Sequence, residues 1–155
     1  MSESKPILLV EDDYVDTMAV KRVLKELNTA NDLVCALNGE EALAYLRGKA
    51  NKMPCLILLD LNMPKMNGME FLRVVKADDA LKTIPVVVLT TSNEEQDMTR
   101  SFQLGAAAYI VKAFGYRDFR ERIRTIETYL APPNRRGNRS QLTCETQSGA
   151  RLEGV

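Results

Sequence analysis

Five times along the chain a short apolar, β-branched run gives way to a segment whose apolar residues recur at helical spacing. Strands alternating with helices argue for one parallel sheet covered by helices on both faces, joined by right-handed crossovers. The strand-like runs lie at 5–10, 32–36, 56–60, 84–89 and 107–111. The run at 84–89 is the most β-branched, which suits a strand buried on both faces. Val20, Val23, Leu24 and Leu27 mark the first helix; Asn38 with Glu41, Asn67 with Glu70, and Ser92 with Glu95 are spaced as caps for the next three. Asp13 is placed to cap the first, with Asp16 three residues on, and Gly105 stops the helix that carries Met98 and Phe102. A last helix at about 116–129 buries Phe119, Ile123, Ile126 and Leu130.

The third run, 56–60, ends on one carboxylate, Asp60, and breaks at once into a turn containing Pro64 and Gly68. In an open parallel sheet the site lies beyond the carboxyl ends of the strands, where the strand order reverses. Those ends carry Glu11, Asp12 and Asp13 on strand one, Asp60 on strand three, Thr90 on strand four and Lys112 on strand five. With the order 2-1-3-4-5, strands one and three are neighbours and their acids face each other. Clustered carboxylates raise one another's pKa, and a divalent cation relieves the conflict. Hard oxygen donors without thiolate or imidazole point to Mg²⁺. Asp60 is then a carboxylate nucleophile able to form an acyl phosphate, with Lys112 neutralising charge and Thr90 donating to a phosphoryl oxygen. Taken singly, each residue has an ordinary reading: a solvated loop acid, a helix cap, a surface lysine. Their fall on four strand ends of one topology favours the chemical reading.

Composition bounds the alternatives. The 155 residues suit one domain with a tail, and 21 basic residues balance 21 acidic ones, so no field steers the chain toward nucleic acid or a membrane. No apolar run approaches the roughly 20 residues that span a bilayer, and the amino terminus lacks a signal-peptide core, so a cytoplasmic protein is expected. Three cysteines suit a reducing compartment: Cys35 and Cys55 are expected as buried thiols, Cys144 lies in the tail, and no disulfide framework is expected. Histidine is absent, which removes phosphohistidine chemistry within the chain and makes any phosphoryl donor external.

Val10-Glu11-Asp12, Leu59-Asp60-Leu61-Asn62-Met63-Pro64, Asn67-Gly68, Leu89-Thr90 and Tyr109-Ile110-Val111-Lys112 resemble the receiver domains of two-component response regulators, the CheY-like family. The resemblance covers about residues 5–130, and the finer pattern is most similar to stand-alone regulators paired with phytochrome-type histidine kinases. It implies a flavodoxin-like (βα)5 sheet of order 2-1-3-4-5, with a receiver at 1–131 and a polar tail at 132–155. It implies Asp60 as phosphoacceptor, Glu11, Asp12, Asp60 and the Asn62 backbone carbonyl around Mg²⁺, Thr90 and Tyr109 as the switch pair, and Lys112 as the cationic partner. A surface made by helix four, strand five and helix five would read the switch. The family usually follows this lysine with a cis proline; here Ala113 stands there. A cis bond costs about 2.5–4 kcal/mol before alanine against about 0.5–1 before proline, so a trans or altered loop is expected.

About 25 residues follow the fifth helix, too few for a usual output domain, so output by protein contact is expected. The partners expected are a sensor histidine kinase and a second copy of the chain, with Phe114, Tyr116 and Tyr129 as one source of a homodimer surface and internal helix packing as the other reading of those residues. Such a switch is phosphorylated once and loses the group slowly; it is not a turnover enzyme. Two alternatives stay open: a Mg²⁺-dependent aspartyl-nucleophile phosphatase, which would want a second acid where Asn62 stands, and a pseudo-receiver acting only by binding.

Overall fold

The computed structural model describes residues 5–63, 65–112 and 115–130, and the backbone alone at 143–146 and 151–153. Five strands, β1 (Ile7–Val10), β2 (Leu33–Ala36), β3 (Leu56–Leu59), β4 (Val86–Thr90) and β5 (Ala108–Val111), alternate with five helices, α1 (Tyr14–Glu26), α2 (Gly39–Arg47), α3 (Gly68–Ala77), α4 (Glu95–Gln103) and α5 (Tyr116–Ile123). The core strands pair in parallel, as the alternation of elements requires, and in the order 2-1-3-4-5 that the resemblance implies.

Successive strand residues point to opposite faces, and the apolar runs serve two cores at once. Leu8, Val10, Ile57, Leu59, Val86 and Val88 pack with Ala42, Leu46, Phe71, Leu72 and Val75 from α2 and α3. Ile7, Leu9, Leu56, Leu58, Val87 and Leu89 pack with Val20, Val23 and Leu24 from α1 and with Phe119 and Ile123 from α5. Both faces being dry explains why these runs are continuously apolar instead of alternating.

Helix starts follow the sequence pattern in three cases. Asp13 accepts from the Asp16 N–H at 3.1 Å, Asn38 accepts from the Glu41 N–H at 2.9 Å, and Asn67 and Glu70 form a reciprocal capping box. The fourth expectation fails. Ser92 does not cap α4, whose N-cap residue is Glu94 with no side-chain cap bond; the Ser92 oxygen accepts from the Glu94 N–H at 3.4 Å, ahead of the helix, and its hydroxyl donates to the Asp97 carboxylate at 2.5 Å. The last helix is also shorter than its apolar spacing suggests, with a 3-10 segment at Arg124–Tyr129 that still buries Ile126.

Two departures concern the end of the chain. Two further strands, β6 (Thr143–Thr146) and β7 (Arg151–Glu153), extend the sheet, β6 parallel to β2 and β7 antiparallel to β6. They lack apolar periodicity because what they supply is backbone pairing to the outer edge of β2, whose N–H and C=O groups are otherwise open. Cys35 on β2 is disulfide-bonded, which corrects the expectation of a buried free thiol, while Cys55 is free. The Lys112–Ala113 bond, Phe114 and Pro64 lie outside the described residues, as does the rest of the tail beyond the two strands.

Two substitutions test this packing. Phe71 is fully buried, so Phe71→Ala should cost about 3–5 kcal/mol in a denaturant titration. At Gly68 an added Cβ would lie 2.3 Å from the Asp60 carbonyl oxygen and 2.6 Å from Leu61 Cα, both backbone atoms that cannot swing away. Alanine would gain about 1 kcal/mol of helix propensity. The overlap outweighs that gain, and Gly68→Ala should show a net loss of about 1–3 kcal/mol; a more stable variant in the same titration would refute the close approach.

Candidate functional site

Strand register assembles the site. Val10 of β1 lies opposite Leu59 of β3, so the residues that follow, Glu11 and Asp60, emerge side by side at the carboxyl edge. The Asp60 N–H donates to the Val10 carbonyl at 3.0 Å and the Glu11 N–H to the Ala36 carbonyl at 2.9 Å, which carries the ladder up to the acids themselves. Carboxylate oxygens of Glu11, Asp12 and Asp60 lie within 4.8 Å of one another. Glu11 and Asp60 are buried and Asp12 is exposed, so the cluster is a buried floor with one acid at its mouth.

The loop after β3 is held down on both sides. The Gly68 N–H donates to the Leu61 carbonyl at 3.1 Å, bringing the first residue of α3 against the backbone of Asp60. The Gly39 N–H donates to the Met66 carbonyl at 3.2 Å and ties the start of α2 to the same loop. The Asn62 N–H points to Asp60 Oδ1 at 3.4 Å, a long contact that aims the carboxylate.

Lys112 is placed by the same ladder, its N–H donating to the Thr90 carbonyl at 2.7 Å just past the end of β5. Its side chain is 7% exposed, and Nζ donates to Glu11 Oε1 at 2.6 Å and to Asp16 Oδ2 at 2.7 Å. Burial opposes the ammonium charge, but the hydrogen bonds to Asp16 and Glu11 outweigh it and hold Lys112 above its ordinary pKa. Glu11 is pushed up to about 8 by burial, against the pull of Lys112. A buried acid that resists ionisation beside two further carboxylates is short of positive charge. The donor set consists of hard oxygens only, and it fits a divalent cation.

Thr90 is fully buried, and its Oγ1 accepts from the Ser92 N–H at 3.3 Å. Tyr109, half-buried, donates its hydroxyl to the Ser92 carbonyl at 2.9 Å. Thr90 and Tyr109 therefore meet at the same turn, with Ser92 between them and Asp97 holding Ser92 from α4. The aromatic residues offered for self-association divide otherwise: Tyr116 and Tyr129 pack against the inner core, as the internal reading has it. Among the described residues the exposed large apolar side chains are Tyr14, Val15, Met18, Leu37, Met53 and Phe102.

Sequence reading brought Glu11, Asp12, Asp60, Thr90 and Lys112 to one edge of the sheet, and the structure places them there; Tyr109, named by the resemblance, lies within β5 and reaches the turn after Thr90 through its hydroxyl. Sequence reading missed Asp16. That residue reads as an acid in the first turn of α1, where acids are common, and only the fold shows its carboxylate reaching a lysine 96 residues away.

Comparison with known proteins bears directly on this arrangement. Residues 7–124 match the family described as the response regulator receiver domain. The response regulator Rcp1 of Synechocystis sp. is 40% identical over 129 residues, covering 81% of this chain and 88% of that protein. Among solved structures, the Mn(2+)-bound form of Rcp1 superposes with a TM-score of 0.76 at 39% identity, covering 84% of this chain and 97% of that one. The phosphorylated cyanobacterial phytochrome response regulator RcpA gives 0.76 at 40% identity, over 83% and 94% of the two chains. Family match, identity and superposition agree with one another, and the chain belongs to the response regulator receiver family.

Proposed function

We propose that Asp60 is the residue that accepts the phosphoryl group, that the cation of the site is Mg²⁺, and that the donor is a phosphohistidine of a sensor kinase of the phytochrome type. The observation that carries this reading is the convergence of Glu11, Asp12 and Asp60 within 4.8 Å beside the Lys112 ammonium. A carboxylate oxygen of Asp60 attacks phosphorus, the phosphorus–nitrogen bond of the donor breaks, and the electron pair leaves with the imidazole. The chain has no histidine, so that imidazole belongs to the donor. When bound between Glu11, Asp12 and Asp60, with the Asn62 carbonyl as a further ligand, Mg²⁺ would neutralise charge on the transferring group. Lys112 reaches the same space from β5, and Thr90, at the end of β4, has the hydroxyl that would donate to the new phosphoryl oxygens.

Support for the phytochrome-type partner is the likeness to RcpA, which is itself a phytochrome response regulator. Among the described residues no helix is long and apolar enough to cross a membrane, and the reading places the chain in the cytoplasm, where kinases charged by nucleotide are found. Output is by protein contact. Self-association belongs to the reading with altered residues: Tyr116 and Tyr129 are taken up by the core, and among the described residues Tyr14, 73% exposed, and Phe102 on α4, 47% exposed, are aromatics available to a partner. A sedimentation series showing one monomeric species at every concentration would remove the dimer.

Incubation with a small phosphodonor and Mg²⁺ should add the mass of one phosphoryl group to the wild type and none to Asp60→Asn. Repeated turnover of a phosphate ester would instead mark a phosphatase. Magnesium should also stabilise the fold: at a hundredfold excess over its dissociation constant the gain is about 2.7 kcal/mol, visible as a raised unfolding midpoint that a chelator reverses. Asp12→Asn should lose most of that gain while keeping the stability of the metal-free protein, because Asp12 is exposed and supports no packing.

A further inference from the structure

We propose that Asp16 is a positioning residue that holds the Lys112 ammonium in the unphosphorylated protein and yields it to the phosphoryl group formed on Asp60. The inference rests on the reading of Asp60 as phosphoacceptor and names a residue which that reading does not use.

Lys112 Nζ carries three protons, and two are committed to carboxylates at 2.6 and 2.7 Å. The third proton is left for a phosphoryl oxygen arriving on Asp60, and movement of the ammonium toward that oxygen stretches the two bonds it already makes. The two partners are unequal. The Glu11 side chain is 2% exposed, so losing Lys112 would leave a buried polar group without that partner and with no water to replace it. The Asp16 side chain is 32% exposed and can turn to water when released. Glu11 also belongs to the carboxylate cluster that fits a cation, and Asp16 does not. Surrender of the Asp16 bond therefore costs least.

Asp16 has no capping duty that would explain its carboxylate. The cap of α1 is Asp13, and what Asp16 contributes to it is a backbone N–H. Its side chain faces back across the carboxyl edge of the sheet and bridges α1 to the segment after β5. Transfer of Lys112 from Asp16 to the phosphoryl group would free the first turn of α1 from that segment.

Initial rates of labelling by acetyl phosphate with Mg²⁺, followed by intact mass, test the assignment. Asp16→Asn should be labelled roughly fivefold faster than wild type, the rate equivalent of no longer breaking one partly exposed ion pair. Asp16→Glu, which restores the carboxylate, should return to within about twofold of wild type. Asp13→Asn removes an equal charge from the same turn while keeping a competent cap, and it separates lysine pairing from the general field; its rate should stay within about twofold of wild type. Loosening of α1 alone does not speed a reaction, so acceleration is not the signature of a structural role. An Asp16→Asn rate equal to or below wild type overturns the proposal, as does equal acceleration by Asp13→Asn. Unlabelled wild type removes the Asp60 reading and this one with it, whereas labelled wild type with an unchanged Asp16→Asn removes this one alone.

Discussion

Negative charge packed against the end of a dry sheet is the constraint to which the rest of the molecule answers. Three carboxylates converge there, two of them buried, and a single lysine stands against them. Such a cluster is unfavourable in isolation, since burial and mutual repulsion both penalise ionisation. It persists because the strand pairing and the dry core beneath it fix where the acids emerge. Four parallel ladders hold the strand ends in register, and tight backbone contacts at Gly68 and Gly39 hold the loop that carries Asp60. Stability built into the hydrophobic layers is what tolerates a locally unfavourable arrangement, and that arrangement is the one that fits a cation.

The same economy accounts for how the signal would leave the site. Thr90 and Tyr109 are on adjacent strands, each bonded to a different atom of Ser92, and Ser92 is bonded to α4 through Asp97. No long chain of contacts is needed, because a hydroxyl turning toward a phosphoryl oxygen gives up its bond to the Ser92 N–H, and the turn, the tyrosine and the first part of α4 share that one residue. Each of these bonds is individually worth about 1 kcal/mol, which suits a population shift between two arrangements better than a rigid transmission.

The fold was legible because its strands are buried on both faces, so apolar runs and helical spacing were unambiguous and strand ends could be located to within a residue or two. Asp60, Thr90 and Lys112 were legible for the same reason: a strand end is a place that sequence can find. Asp16 was not, since its partner is set by the packing of α1 across the sheet, and a first-turn acid has an ordinary use. Ser92 was misassigned because α4 begins two residues later than the spacing suggested, so its oxygen caps no helical N–H and its hydroxyl serves Asp97 instead. The strands β6 and β7 were invisible because backbone pairing at a sheet edge requires no apolar pattern, and the bonding of Cys35 was missed because reading by compartment alone sets no geometry.

The register of β1 against β3 carries a meaning of its own. Glu11 and Asp60 stand together because the pairs Ile7 with Leu56 through Val10 with Leu59 place both strand ends level. A slip of one residue would carry an acid about 3.3 Å along the sheet and turn it to the opposite face. The pleat is thus the ruler by which the chemistry is measured out, and its gradations are far coarser than the adjustments a catalytic pocket needs. Evolution can retune side chains around this edge freely, but it cannot lengthen either strand by one residue without dismantling the site.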